Sequence, residues 1–466
     1  MKVIYKKIQG FTEGRLALKK QDANKFFKSL KGGFIYEFAG KSIIGLDPVL
    51  RITGKNQKFL LEILHSRGKK FKEMIEVNFC EEILKSNSEF EEADRYRQKN
   101  ISFVLRRILE IFKQDQKVLF GLYGAFSYDF VRQFECLDNI LPENEVNDFD
   151  FFLYDTFVDG NELVLYRESK EEIIESLKGI QEFLNFESGS FEIKNPKFAL
   201  SREKYEELVY VAKDYCKRGE IVEVVFSNLL EADFVGDPYA LYQAYREASP
   251  SPYMFYFDFA DQQLVGSSPE MMLKVEGRRV QMRPISGTAK RGSDLIEDHE
   301  NMLKLLCDPK ERAELDMLID LGRNDLSKVC KPGIKISDYR FVEKYSKVMH
   351  TIAHLEGELA DGFTALDALF ASLNAGTLTG APKVAAMNLI EKYETERRGY
   401  YGGTIGYLTF SGEMDTAILI RTAHIKNGHL KFRVGATLLN QSNPVAEYEE
   451  TMNKAAAFIS ILKQTI

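Results

Sequence analysis

The sequence predicts an α+β protein in which antiparallel sheets carry helices on their outer faces. Three observations predict it: short Gly-containing turns join alternating apolar runs, amphipathic segments separate them, and 44% apolar with 29% charged residues is ordinary globular composition. Connections this short require antiparallel neighbours, because parallel strands need a longer crossover.

Along the chain, Ile101–Lys113 has helical periodicity. The run 117–131 (KVLFGLYGAFSYDFV) reads as an apolar, Gly-interrupted strand pair, and 151–167 as a hairpin turning at Asp159-Gly160-Asn161. A helix from Glu171 to Phe186 precedes the polar stretch ESGSFEIKNPK, which marks the main boundary. Residues 1–195 are expected to form an N-terminal subdomain, regulatory or partner-binding, whose sheet is shared with the rest; 196–466 form the catalytic part. There, an amphipathic helix over 202–218 is stopped by Gly219, and 220–228 (EIVEVVFSN) reads as a strand. A hairpin turns at Glu276-Gly277, and a meander over 403–439 turns at Ser411-Gly412 and Asn427-Gly428. The last helix spans Val445–Lys463.

Composition excludes several classes. A net charge of −7 and a pI near 5.7 give no basic field for nucleic acid. The start, MKVIYKKIQGFTEG, lacks the apolar core of a signal peptide, and no apolar run is long enough to span a bilayer. Five scattered cysteines without CxxC spacing fit reduced, cytoplasmic thiols.

The chemistry concentrates between Pro284 and Lys454, where PISGT, LIDLGRND, GTLTGAPK, YYGGTIG, MDTAILIRT and EYEETMNK follow in order. Glu447, Glu450 and Lys454 share one face of the last helix, and Glu311 and Glu314 repeat the spacing in an earlier one. Two such acidic faces suit a hard cation such as magnesium, although solvated Glu–Lys faces have the same spacing. GTLTGAPK precedes a helix whose N–H groups suit an anion, but Ala381-Pro382 rules out a P-loop. Glu270 closes GSSPE in a turn, where a glutamate is usually exposed. Glu223 lies on the strand face of Ile221 and Val225, either at a sheet edge or as a desolvated functional group.

Together these motifs resemble the chorismate-using enzymes: anthranilate synthase large subunits and aminodeoxychorismate, isochorismate and salicylate synthases. The resemblance is dense from Arg202 to Ile461 and weaker upstream, through SIIGLDPVLRI and GLYGAFSYDFVRQFE. It implies an α/β sandwich of two antiparallel sheets packed between helices. It further implies Glu314 and Glu450 as magnesium ligands supported by Glu311 and Glu447, and Glu270 as the acid that protonates the departing C4 hydroxyl. Tyr401 and Arg421 match residues that hold the enolpyruvyl carboxylate, with backbone N–H groups of Gly435 and Ala436 beside it. Lys454 and Thr377 match positions near other polar groups of the substrate, and His350 the histidine of the ring and pyruvate-elimination chemistry.

Two positions bear on the nucleophile. Glu223 occupies the place where isochorismate and salicylate synthases carry a water-activating Lys, and where ammonia-using members usually carry Gln. Ser286 occupies the place where aminodeoxychorismate synthases commonly carry a nucleophilic Lys. Both favour ammonia attack of the anthranilate-synthase type, so the resemblance implies a separate glutamine amidotransferase subunit and allows a homo- or hetero-oligomer. The nearest rival product is 2-amino-2-deoxyisochorismate, suggested by GATLLNQSNP; aminodeoxychorismate is third, and an inactive regulatory homologue is the non-enzyme alternative. Pro252, Tyr253 and Met254 match one half of the family's inhibitor site. The other half, an LLES-like segment, reads GGFIYEFAGKSIIG here, which weighs against tryptophan sensitivity.

Overall fold

A computed structural model describes residues 3–18, 33–78, 95–180, 189–345 and 348–462. Among these, the strands form two fully antiparallel sheets, one of thirteen strands and one of eleven. Strands from both sides of residue 195 share both sheets: Phe34–Phe38 pairs with Tyr253–Asp258, and Gly121–Phe126 pairs with Thr404–Thr409.

Alternation along the strands explains the layering. Phe34, Tyr36, Phe38, Phe255 and Phe257 point into the core between the sheets, while Ile35, Met254 and Tyr256 point to a second core on the outer face of the larger sheet. Helices Pro238–Ala248 and Pro444–Leu462 cover that outer face through Tyr242, Tyr245, Phe458 and Ile461. Burial on both faces is why these strands read as nearly continuous apolar runs. The helices Phe103–Ile111 and Ala365–Ser372 close the inner core.

Two expectations need correction. The run 117–131 supplies one strand, Gly121–Phe126, and then a 3₁₀ turn over Tyr128–Gln133, because a Gly-rich strand buried on both faces imitates an interrupted pair. The expected meander is two hairpins in different sheets: Met414–Ile418 belongs to the smaller sheet and Thr422–Lys426 to the larger. The chain crosses between them at Leu419–Arg421, with Arg421 in the left-handed region at φ 50°. The helix expected from Glu171 is present over Lys170–Ile180, and the rest of its expected span, 181–186, lies outside the described residues. The hairpins at Asp159–Glu162 and Glu276–Arg279 form as read. Among the described residues no helix is long and apolar enough to cross a membrane.

Candidate active site

The turn after the strand Gln262–Ser268 carries Glu270 inward rather than outward. The residue is 7% exposed, its carbonyl accepts from Ile418 N–H at 3.0 Å, and its Oε1 accepts from the Thr377 hydroxyl at 3.0 Å. Burial pushes its carboxyl up to about 8, against the Thr377 bond and the charges of Lys454 and Arg421. The ordinary reading of a turn glutamate as exposed therefore fails here.

Arg421 reaches this region from the crossing between sheets. Burial lowers its pKa, while Tyr245, Glu270 and Tyr345 work the other way. Among the described residues no carboxylate stands within ion-pair distance of its guanidinium. A desolvated cation without a counter-ion is a ready site for an anion.

His350 is 5% exposed in the strand Val348–Glu358. Its Nδ1 lies 2.9 Å from the Gly287 carbonyl and 3.0 Å from Thr288 Oγ1. A carbonyl only accepts, so Nδ1 carries the hydrogen and Nε2 keeps a lone pair. Burial lowers the imidazole pKa, and the nearby charges of Arg421 and Lys454 lower it further, which leaves it neutral.

Lys454 donates to the Gly435 carbonyl at 3.0 Å and pairs with Glu450 at 2.8 Å, one helical turn away. Gly435 has to lack a side chain: a Cβ there would stand 2.8 Å from both the Tyr401 hydroxyl and the Phe226 carbonyl. Tyr401, Gly435 and Lys454 are thus in one cluster. The N–H of Ala436 differs from expectation, since it already donates to the Tyr205 hydroxyl at 3.2 Å, which itself donates to Phe226 O.

The acidic faces of Pro309–Ser327 and Pro444–Leu462 converge. Glu311 and Glu314 feel the charge of Glu450, and Glu447 does too; burial with this like-charge repulsion raises all three, Glu314 to about 7. Glu450 remains half-exposed. Among the described residues no three such groups stand close enough to hold a metal unaided. The donor set fits magnesium in kind: these are hard carboxylate oxygens that repel one another, and Mg²⁺ takes oxygen ligands while keeping several waters of its own.

Glu223 is desolvated, not a sheet-edge residue. It is 1% exposed at the head of the strand Glu223–Gly236, paired with Ala381 of GTLTGAPK, and burial beside Glu314 pushes it up to about 8.

Sequence reasoning missed the groups that hold this site together. Arg398 is buried against Glu394 and donates to Glu394 Oε2 at 3.1 Å, and to the carbonyls of Leu378 and Val225 at 2.6 Å each. It thereby ties GTLTGAPK to the strand bearing Glu223 and lies under the Tyr401 ring. Lys383 anchors the same turn to Asp325 and Ser372. The signal for Arg398 was present as an i, i+4 Glu–Arg spacing.

The expected inhibitor residues lie in the larger sheet. Met254 pairs with Glu37 of GGFIYEFAGKSIIG, and Tyr253 donates to Asp415 at 3.1 Å, so the matched half lies beside the segment that departs from the other half; Pro252 is half-buried just before them. Glu37 is held by Arg246 at 2.7 Å.

Residues 61–460 match the family model described as chorismate binding enzyme. The chain belongs to this family. As a chorismate-binding enzyme it is 38% identical over 367 residues to anthranilate synthase component 1 of Aquifex aeolicus, covering 74% of each chain. It is 48% identical over 258 residues to the component 1 of Neisseria meningitidis serogroup B, which spans 55% of this chain and 52% of that one. Among solved structures, component I of anthranilate synthase from Streptococcus pneumoniae aligns with TM-score 0.70 and 29% identity over 89% of this chain and 91% of that one. The menaquinone-specific isochorismate synthase of Escherichia coli shares the fold at TM-score 0.70 and 16% identity, over 99% and 96%. The two-sheet architecture expected from the sequence is therefore the family's.

Proposed function

We propose that this enzyme converts chorismate and ammonia to anthranilate and pyruvate, in tryptophan biosynthesis, with ammonia handed over by a separate glutamine amidotransferase component. The observation that carries the reading is a buried acid and a buried cation close enough to act on each other's charge. Burial pushes the Glu270 carboxyl up to about 8, so it holds its proton near neutral pH, and among the described residues Arg421 makes no ion pair.

Chorismate is a dianion with a hydroxyl that has to leave. Arg421 binds one carboxylate through its fork, which Lys cannot reproduce. Glu270 gives its proton to the departing C4 hydroxyl, with Thr377 fixing the carboxyl orientation. Tyr401 and Lys454 bound the substrate on the side of Gly435. Neutral His350, its Nδ1 tied to Gly287, presents Nε2 to take a ring proton as pyruvate is released. Glu314 and Glu450, with Glu311 and Glu447 beside them, would hold magnesium, which supplies Lewis-acid withdrawal of charge from the ring carboxylate when bound.

Ser286 and Glu223 leave no lysine at either position where the resemblance places a lysine-dependent nucleophile, which supports ammonia. The names of the relatives, component 1, support a partner component. Free thiols at Cys136, Cys216, Cys307 and Cys330 support a cytoplasmic setting. Product analysis by mass spectrometry, with chorismate, Mg²⁺ and ammonium, tests the reading. Anthranilate formation that stops on chelation is expected; unconsumed chorismate would overturn it.

A further inference from the structure

A small cavity of about 40 Å³ is lined by Glu270 and Thr377 of the site and also by Asp325, Ser372 and Lys383. That volume has room for about two or three waters, at roughly 10–15 Å³ each. Waters in a cavity need polar partners, and this wall offers them. Arg283 Nε, on the same wall, is buried without a partner among the described residues. Lys383 Nζ carries three hydrogens but meets two acceptors among the described residues, the Asp325 carboxylate and the Ser372 carbonyl.

The chemistry makes a demand on this place. In each amination the C4–O bond breaks as the proton of Glu270 passes to the leaving oxygen and water is released. The new C–N bond forms, and the nitrogen sheds its surplus proton to solvent. Glu270, 7% exposed, is left as a carboxylate and has to regain one proton per turnover. Lys383 lines the same cavity, and burial lowers its pKa against the pull of Asp325, which makes it a better proton donor than a surface lysine. The other oxygen of Asp325, Oδ1, meets Lys328 Nζ at 3.4 Å, and the Lys328 side chain is 22% exposed.

We propose that Lys383 reprotonates Glu270 through water in this cavity and is refilled from solvent by way of Asp325 and Lys328. One solvent proton enters for each proton the new amine releases, so the turnover balances. The inference rests on the reaction proposed above. It gives the buried Asp325–Lys383 pair a task beyond anchoring the GTLTGAPK turn.

The test compares the first turnover with later ones, by rapid quench, in wild type, Lys383→Arg and Gly322→Ala with chorismate, ammonium and Mg²⁺ at neutral pH. Lys383→Arg keeps a cation beside Asp325 but cannot release a proton. Glu270 starts protonated, so the first turnover should keep the wild-type rate, while later turnovers slow about tenfold or more and leave a burst of one equivalent per enzyme. Gly322→Ala leaves Lys383 and Asp325 in place and adds a methyl to the cavity wall, 2.6 Å from Leu355 Cδ1 and 3.8 Å from Met282 Sδ. It should slow later turnovers by about threefold relative to the first, and it decides alone if Lys383→Arg does not fold. First and later turnovers slowed equally would make Lys383 structural and overturn the inference, as would a ratio unchanged from wild type. Wild type that leaves chorismate untouched strikes the proposed reaction itself; wild-type turnover with no burst in the variants strikes only the relay.

Discussion

The Thr377 hydroxyl donates to Glu270 Oε1 at 3.0 Å, the one side-chain hydrogen bond this carboxyl receives among the described residues. The bond favours the charged form and so works against burial, which holds the carboxyl at about 8. Thr377→Val removes it, so the pKa of Glu270 rises. The acid is active when protonated, and activity is lost as pH rises through its pKa. The alkaline limb of kcat/KM, measured with the NH₃ concentration held constant, should therefore move to higher pH in Thr377→Val and stay in place in Thr377→Ser.

Arg421 is expected to act by shape as well as charge. Arg421→Lys keeps the cation but loses the bidentate fork, which should raise the chorismate KM by about tenfold to a hundredfold. Steady-state kinetics at saturating ammonium checks this, and an unchanged KM would remove Arg421 from substrate binding.

The four convergent glutamates predict a stabilising cation. Mg²⁺ should raise the melting temperature of the wild-type protein, as any ligand of the native state does, and the rise should shrink in Glu314→Gln. The bare Glu314→Gln protein should be no less stable than wild type, since the substitution relieves burial and repulsion that already raise this carboxyl. Thermal melts with and without Mg²⁺ measure both effects independently of turnover.

Gly435→Ala places a methyl group 2.8 Å from the Tyr401 hydroxyl and the Phe226 carbonyl. The carbonyl is fixed in the sheet, so the tyrosine and the strand have to shift. The expected result is loss of chorismate affinity, seen as a raised KM, with at most about 1–3 kcal/mol of stability lost to overpacking.

Much of this was legible in the sequence. Turn chemistry at Asp159–Asn161 and Glu276-Gly277 fixed hairpin positions, and helical spacing put Glu311 with Glu314 and Glu447 with Glu450. The sheet exchange at Leu419–Arg421 was not legible, because a local pattern of alternating apolar residues is the same whether consecutive strands stay in one sheet or cross to another. The burial of Glu223 and Glu270 was not legible for a related reason: desolvation comes from distant segments, such as GTLTGAPK folding onto the strand at Ala381. Arg398 was overlooked although its spacing to Glu394 was visible, because i, i+4 pairs are usually surface pairs. Only the fold shows this one fully buried.

The most direct measurement is product stoichiometry in one reaction: anthranilate by fluorescence and pyruvate by an enzyme-coupled assay, from chorismate, ammonium and Mg²⁺. The account predicts the two rising together, one for one with chorismate consumed. Consumption of chorismate to an amino product that retains its enolpyruvyl group, with no pyruvate released, would contradict it.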